Sequence, residues 1–216
     1  MTSPIHEAPE HDWTAASARV MPVLRPPSGG GTRLSEVTDE RLSSEGLRTH
    51  ALPLLDDGPA GLSIGYAIPA GGFDVLVNAD HLLAWQVPAA ELRAAAMRNL
   101  TAWSGEAAWT DEDEGGRRIL SSDSGEGGDA TRILLPEVRR HLQAELGGGG
   151  RVIVGLPERH LLMAAAIGPD DTEFADLLGT FVAEHAASAD EPVEPRLFEL
   201  IDGELQPFQP FEALEK

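Results

Sequence analysis

"GGGGRVIVGLPERHLLMAAAIGPDD", residues 147–171, decides how the fold is read. One apolar run, 151–156, stops at Pro157-Glu158-Arg159-His160, and a second, 161–167, follows at once. Two buried segments around a polar turn read as a hairpin. The second run also suits the start of a helix, but Gly168-Pro169 ends it after seven residues, which favours the strand. The four glycines at 147–150 stop the helix that precedes them.

That helix opens at Pro136 and has Val138, Leu142 and Leu146 on its apolar side. Downstream, Asp170 and Glu173 resemble a capping box. The helix they start carries Phe174, Leu177, Leu178, Phe181, Val182 and His185 on one stripe. "LFELIDGELQPF" (197–208) is a further hairpin, turning at Asp202-Gly203.

Toward the N-terminus, Leu62, Ile64, Tyr66 and Ile68 alternate with small or polar residues, as do Phe73, Val75 and Val77 after the loop at 69–72. That period of two predicts another hairpin. Asp80 is placed to cap a short helix through Trp85. Pro88 suits the first turn of a longer one, with Leu92, Ala96, Leu100 and Trp103 on one face and Gly105 at its end. Short strands are expected near 107–110 and 117–121, with the acidic "DEDEGG" (111–116) as their turn and "SSDSGEGGD" (121–129) as a polar loop. Residues 35–48 carry a weak helical pattern. The element order predicts an α+β fold, an antiparallel or mixed sheet built from hairpins alternating with helices that pack on it. The expected organisation is a flexible arm at 1–18, one domain at 19–208 and a tail at 209–216.

The net charge is −20. Residues 1–150 hold 12 basic and 22 acidic side chains, and residues 151–216 hold 4 and 14, so each part carries −10. The acidity is therefore global. Such a surface repels nucleic acid and anionic membranes and suits a basic protein partner. The absence of cysteine removes disulfides, thiol nucleophiles and cysteine-ligated zinc. "MTSPIHEAPEHDW" lacks the basic and apolar regions of a signal peptide, and no apolar run reaches the roughly 18–20 residues that span a bilayer. A soluble cytoplasmic protein is expected.

Motifs with a known mechanism are missing. His6, His11, His50, His81, His141, His160 and His185 show no helical metal-ligand spacing, and "DSGEGGD" (123–129) fails the EF-hand pattern, so no metal or cofactor is expected. The chain has no nucleophile elbow and no Walker lysine. Two constellations are left: Asp129-Ala130-Thr131-Arg132, and Glu158-Arg159-His160 after Pro157. Arg132 and Arg159 each border an apolar run, and each has an acid nearby in Asp129 or Glu158. Structural pairing is the commoner outcome of such a pattern. The leading expectation is an accessory or interaction protein, with self-association open. The alternative is a hydrolase or transferase whose cleft gathers Asp129, Arg132, Arg159 and His160; it requires those four to converge.

Several of these pieces also occur together elsewhere. "MPVLR" (21–25), the hairpin, "LLAWQVPAAELRAAAMRNL" (82–100), "DATRILLPEV" (129–138), "VIVGLPERHLLM" (152–163) and "LFELIDGEL" (197–205) follow one another in an order that resembles the YtpQ-like proteins, a family of unknown function. The A-x-x-N-L helix end at 96–100 and the turn at 157–160 are the most characteristic. The resemblance implies an α+β fold and adds no catalytic residue. In that family the turn tends to read Pro-x-Arg-Asp. Here His160 stands in place of the acid, so Arg159 must find another partner.

Overall fold

Strands form at the period-two segments, and the hairpin of 151–167 lies in the middle of the larger of two sheets. The computed structural model describes residues 9–27, 29–37, 51–148 and 150–210. His6, His50 and most of the helix expected at 35–48 lie outside them. The chain gathers into two compact units, one from residues 1–23, 28–57 and 63–103, the other from 24–27, 58–62 and 104–216. The domain expected at 19–208 spans both.

The first unit begins with α1 (Trp13–Ser17), where the Asp12 side chain accepts from the Ala15 N–H at 3.2 Å. Its sheet contains β1 (Met21–Arg25), β2 (Thr32–Arg33), β3 (Leu54–Asp57), β4 (Ser63–Pro69) and β5 (Asp74–Leu76). The order is β1-β4-β3-β2, with β5 also beside β4. The β2–β3 pair is parallel, and the β3–β4 and β4–β5 pairs are antiparallel. The hairpin expected from alternation is β4–β5. Two helices follow, α2 (Ala79–Trp85) and α3 (Ala89–Glu106). The cap of α2 is Asn78, not Asp80: its side chain accepts from the His81 N–H, and His81 Nδ1 accepts from the Asn78 N–H. Asn78 still has the extended backbone a cap needs, whereas Asp80 is already helical. Leu92, Ala96 and Leu100 of α3 are fully buried, as their spacing predicts.

The second unit carries a six-stranded antiparallel sheet of β6 (Thr110–Glu114), β7 (Arg117–Ser122), β8 (Arg151–Glu158), β9 (Leu161–Ile167), β10 (Phe198–Ile201) and β11 (Glu204–Pro207). Its order is β11-β10-β8-β9-β7-β6. The central β8–β9 hairpin is apolar on both faces because both are covered. Ile153, Met163, Ala165 and Ile167 pack against Phe174, Ala175, Leu178 and Val182 of α5 (Thr172–Ser188). Val152, Val154, Leu162 and Ala164 point the other way and are equally buried. A helix α4 (Pro136–Leu146) also packs on this hairpin through its buried Val138, Leu142 and Leu146.

Three expectations are corrected here. The polar turn is only Arg159-His160, because Pro157 and Glu158 extend β8 through a register irregularity. Such an irregularity tolerates a proline that has no N–H for the ladder. The acids at 111–114 are the strand β6, not a turn. Gly115 and Gly116, with φ of 65° and 85°, make the turn, because a two-residue hairpin needs positive φ at both positions. Finally, Asp170 and Glu173 form no capping box. The N-cap of α5 is Asp171, and its carboxylate is taken by Arg117 at 2.7 and 3.1 Å. The buried stripe of α5 runs Phe174, Ala175, Leu178, Val182, Ala186 and leaves Leu177 and Phe181 54% and 43% exposed.

Candidate functional site

Asp129, Thr131 and Arg132, from the first constellation, are buried. Arg132 sits in a short 3-10 turn, Ala130–Leu134, that places its side chain against the end of α3. All five of its N–H groups are used. Nε donates to Ser104 Oγ, Nη1 to the Ala108 carbonyl and Ser122 Oγ, and Nη2 to the carbonyls of Ser104 and Ala107. The guanidinium also lies 4.1 Å from the Trp109 ring centre. Burial pushes its pKa down, and the Asp129 charge opposes that shift. Ser122 Oγ in turn donates to Asp129 Oδ1 at 2.5 Å, and Ser124 supplies both its N–H and its hydroxyl to the same carboxylate. Thr131 Oγ1 accepts from the Leu24 N–H. The donors and acceptors of this cluster are spent on one another and on backbone, leaving Arg132 no N–H for a substrate.

The second constellation is built differently. Arg159 Nε donates to the Gly127 carbonyl at 2.8 Å, and its Nη1 pairs with Glu191 at 3.2 Å. Glu191 therefore takes the place of the acid that His160 replaces. The two constellations do touch, through the Ala130 N–H donating to the Arg159 carbonyl at 3.2 Å. They do not share a cavity. Glu158 and His160 line an open one of about 460 Å³ with His185, Ser188, Asp190 and Glu191. His185 Nε2 is 3.1 Å from Glu158 Oε1 and stacks on Phe181. Asp129, Arg132 and Arg159 are not part of that lining, so the four-residue cleft of the hydrolase or transferase alternative is not assembled. Sequence spacing gave no sign of His185 or Glu191, which arrive from the far end of α5 and the segment beyond it. No group of three or more metal-capable side chains occurs among the described residues.

The most open functional surface is the edge of the second sheet. β6 is its last strand, and each of its five residues is exposed. Its register with β7 puts Glu112 opposite Ile119 and Glu114 opposite Arg117. Those two acids share a face with Ile119, which packs against the apolar cluster beneath α5. Together with Asp113 and Phe174 they line a groove of about 680 Å³. Arg117 lies 5.1 Å over the Phe174 ring and is committed to Asp171. On the opposite face Arg118 grips Asp111 at 2.8 Å and holds its carboxyl below the ordinary range. Glu112, Asp113 and Glu114 have no ion pair among the described residues. The result is an unpaired strand edge with an acidic rim and an apolar floor.

No family model, curated protein or solved structure matches the chain. No helix among the described residues is long and apolar enough to cross a membrane.

Proposed function

We propose that the protein is a binding module that docks a basic, extended segment of a partner protein along β6. The carrying observation is the edge itself: an exposed terminal strand whose Glu112, Asp113 and Glu114 carry uncompensated charge beside an apolar floor. Strand addition draws affinity from main-chain hydrogen bonds and specificity from alternate side chains. A partner strand alternating cationic and apolar residues satisfies both features of the groove. The net charge of −20 steers such a partner inward and a nucleic acid away. A cytoplasmic site of action, with kinship to YtpQ-like proteins, belongs to the same reading and rests on the cysteine-free composition and the quoted segments.

The test is fluorescence polarisation with a labelled peptide of alternating Arg and Val. Saturable, salt-sensitive binding is expected. Neutralising the three acids together (Glu112→Gln, Asp113→Asn, Glu114→Gln) removes up to three exposed pairs of about 0.2–1 kcal/mol each, so affinity falls roughly 3–30-fold. A peptide whose apolar positions are N-methylated cannot extend the ladder and is expected to bind more weakly. Equal affinity of the neutralised and native proteins would sink the proposal. Sedimentation tests self-association separately.

A further inference from the structure

The first unit holds a cavity that the docking edge does not involve. Its volume is about 390 Å³, at the small end of the range for ligand sites. Register explains which residues face it. Asp56 on β3 lies opposite Ile64 on β4, and Tyr66 stands two residues along on the same face. Arg33 comes from β2, and Arg93 and Met97 stand one helical turn apart on α3.

Asp56 organises the polar wall. Arg93 donates to it through Nε and Nη2, both at 2.6 Å, and the Tyr66 hydroxyl donates to Oδ2 at 2.6 Å. Arg33 Nη1 reaches the Asp56 carbonyl at 3.4 Å and the Asp57 carboxylate at 2.8 Å. Arg33 Nε and Nη2, and Arg93 Nη1, make no hydrogen bond among the described residues. Both side chains are 41% exposed. The uncommitted pair on Arg33 is the planar fork that a carboxylate takes with two parallel bonds.

We propose that this cavity binds a small monoanionic carboxylate with an apolar body, its carboxylate on the Arg33 fork beside Arg93 and its body over Ile64 and Met97. The charge of the ligand follows from the neighbours. Asp56 and Asp57 flank the two guanidiniums, so a second negative charge, as on a phosphate monoester, meets repulsion. The site is also pre-organised, because Arg93 is already clamped and loses little freedom on binding. Burial raises the Tyr66 hydroxyl far above its ordinary range, with Asp56 adding to the shift, so at neutral pH it stays a donor rather than a base. The wall thus recognises a ligand and supplies no proton acceptor from Tyr66.

Calorimetric titration of the full chain with hexanoate, acetate, hexylammonium and hexyl phosphate tests this. Hexanoate is expected to bind one-to-one, with acetate and hexyl phosphate each about tenfold weaker and hexylammonium not binding. Arg33→Gln, on a partly exposed side chain, is expected to leave the melting temperature unchanged and to weaken hexanoate about tenfold. If hexanoate fails to bind, binds Arg33→Gln as it binds the native protein, or competes equally with hexylammonium, the proposal falls. Equal affinity for acetate overturns the apolar body, and equal affinity for hexyl phosphate overturns the monoanion.

Discussion

Replacing Arg132 by alanine should be the most damaging single substitution at either constellation. The side chain is 2% exposed and donates five hydrogen bonds. Its removal leaves the carbonyls of Ser104, Ala107 and Ala108 without that donor at the end of α3. It also takes the positive charge from beside the fully buried Asp129 and empties the space over Trp109. Breaking one side of a buried charge pair costs about 3–5 kcal/mol, and a lost buried cation–π contact about 2 kcal/mol. The terms overlap, so a loss of about 4–6 kcal/mol is expected, against a typical total of about 5–15 kcal/mol. Lysine keeps the charge but has three donors and no plane to stack, and should lose about 2–3 kcal/mol. Urea unfolding followed by circular dichroism, with tryptophan fluorescence as a second probe, reads both. Ser122→Ala should couple to the change: Ser122 Oγ accepts from Arg132 and donates to Asp129, so the double variant should lose less than the two singles together. An alanine variant within about 1 kcal/mol of native stability would refute the view that Arg132 is a structural clamp.

Two further outcomes can be checked directly. A methyl group added at Gly155 would lie 2.5 Å from Val182 Cγ2 and 3.1 Å from the Met163 side chain, so Gly155→Ala should cost about 1–3 kcal/mol by pushing α5 off β8; an unchanged urea midpoint would contradict that packing. Burial works to raise the Asp56 carboxyl, but Arg93 and Tyr66 outweigh it and hold it below its ordinary value of 3.8. The unfolded chain therefore takes up the proton first as pH falls. The stabilisation is complete above the ordinary carboxylate value and lost as pH drops through the folded one. The stability gap between native protein and Asp56→Asn should narrow below about pH 4, and a constant gap through that window would count against the linkage.

Hairpins were the legible part of this fold. Residues 63–76, 151–167 and 198–207 announce themselves because alternation and turn residues act within a few positions of each other. The same locality explains the misreading of β6. Four consecutive acids look like solvent-facing loop, and only pairing with β7 makes them a strand. Asn78 and Asp80 are both plausible caps by type, and what separates them is where the chain leaves the extended conformation. Arg132 and Arg159 stood out as cations beside apolar runs. Their partners lie 24–28 and 32 residues away, beyond any local pattern.

By itself the sequence determined the hairpins, the helix that runs from Pro136 to the glycines, the α+β class and the excess of negative charge, since each depends on nearest neighbours or on composition. The tertiary structure decided which charges are spent and which are left over. Arg132, Arg159 and Asp129 are consumed internally, whereas Glu112, Asp113, Glu114 and the Arg33 fork remain exposed. The reason is physical: the worth of a charged group depends on its desolvation and on the geometry of partners brought from distant segments. Neither quantity is encoded in the spacing of residues along the chain.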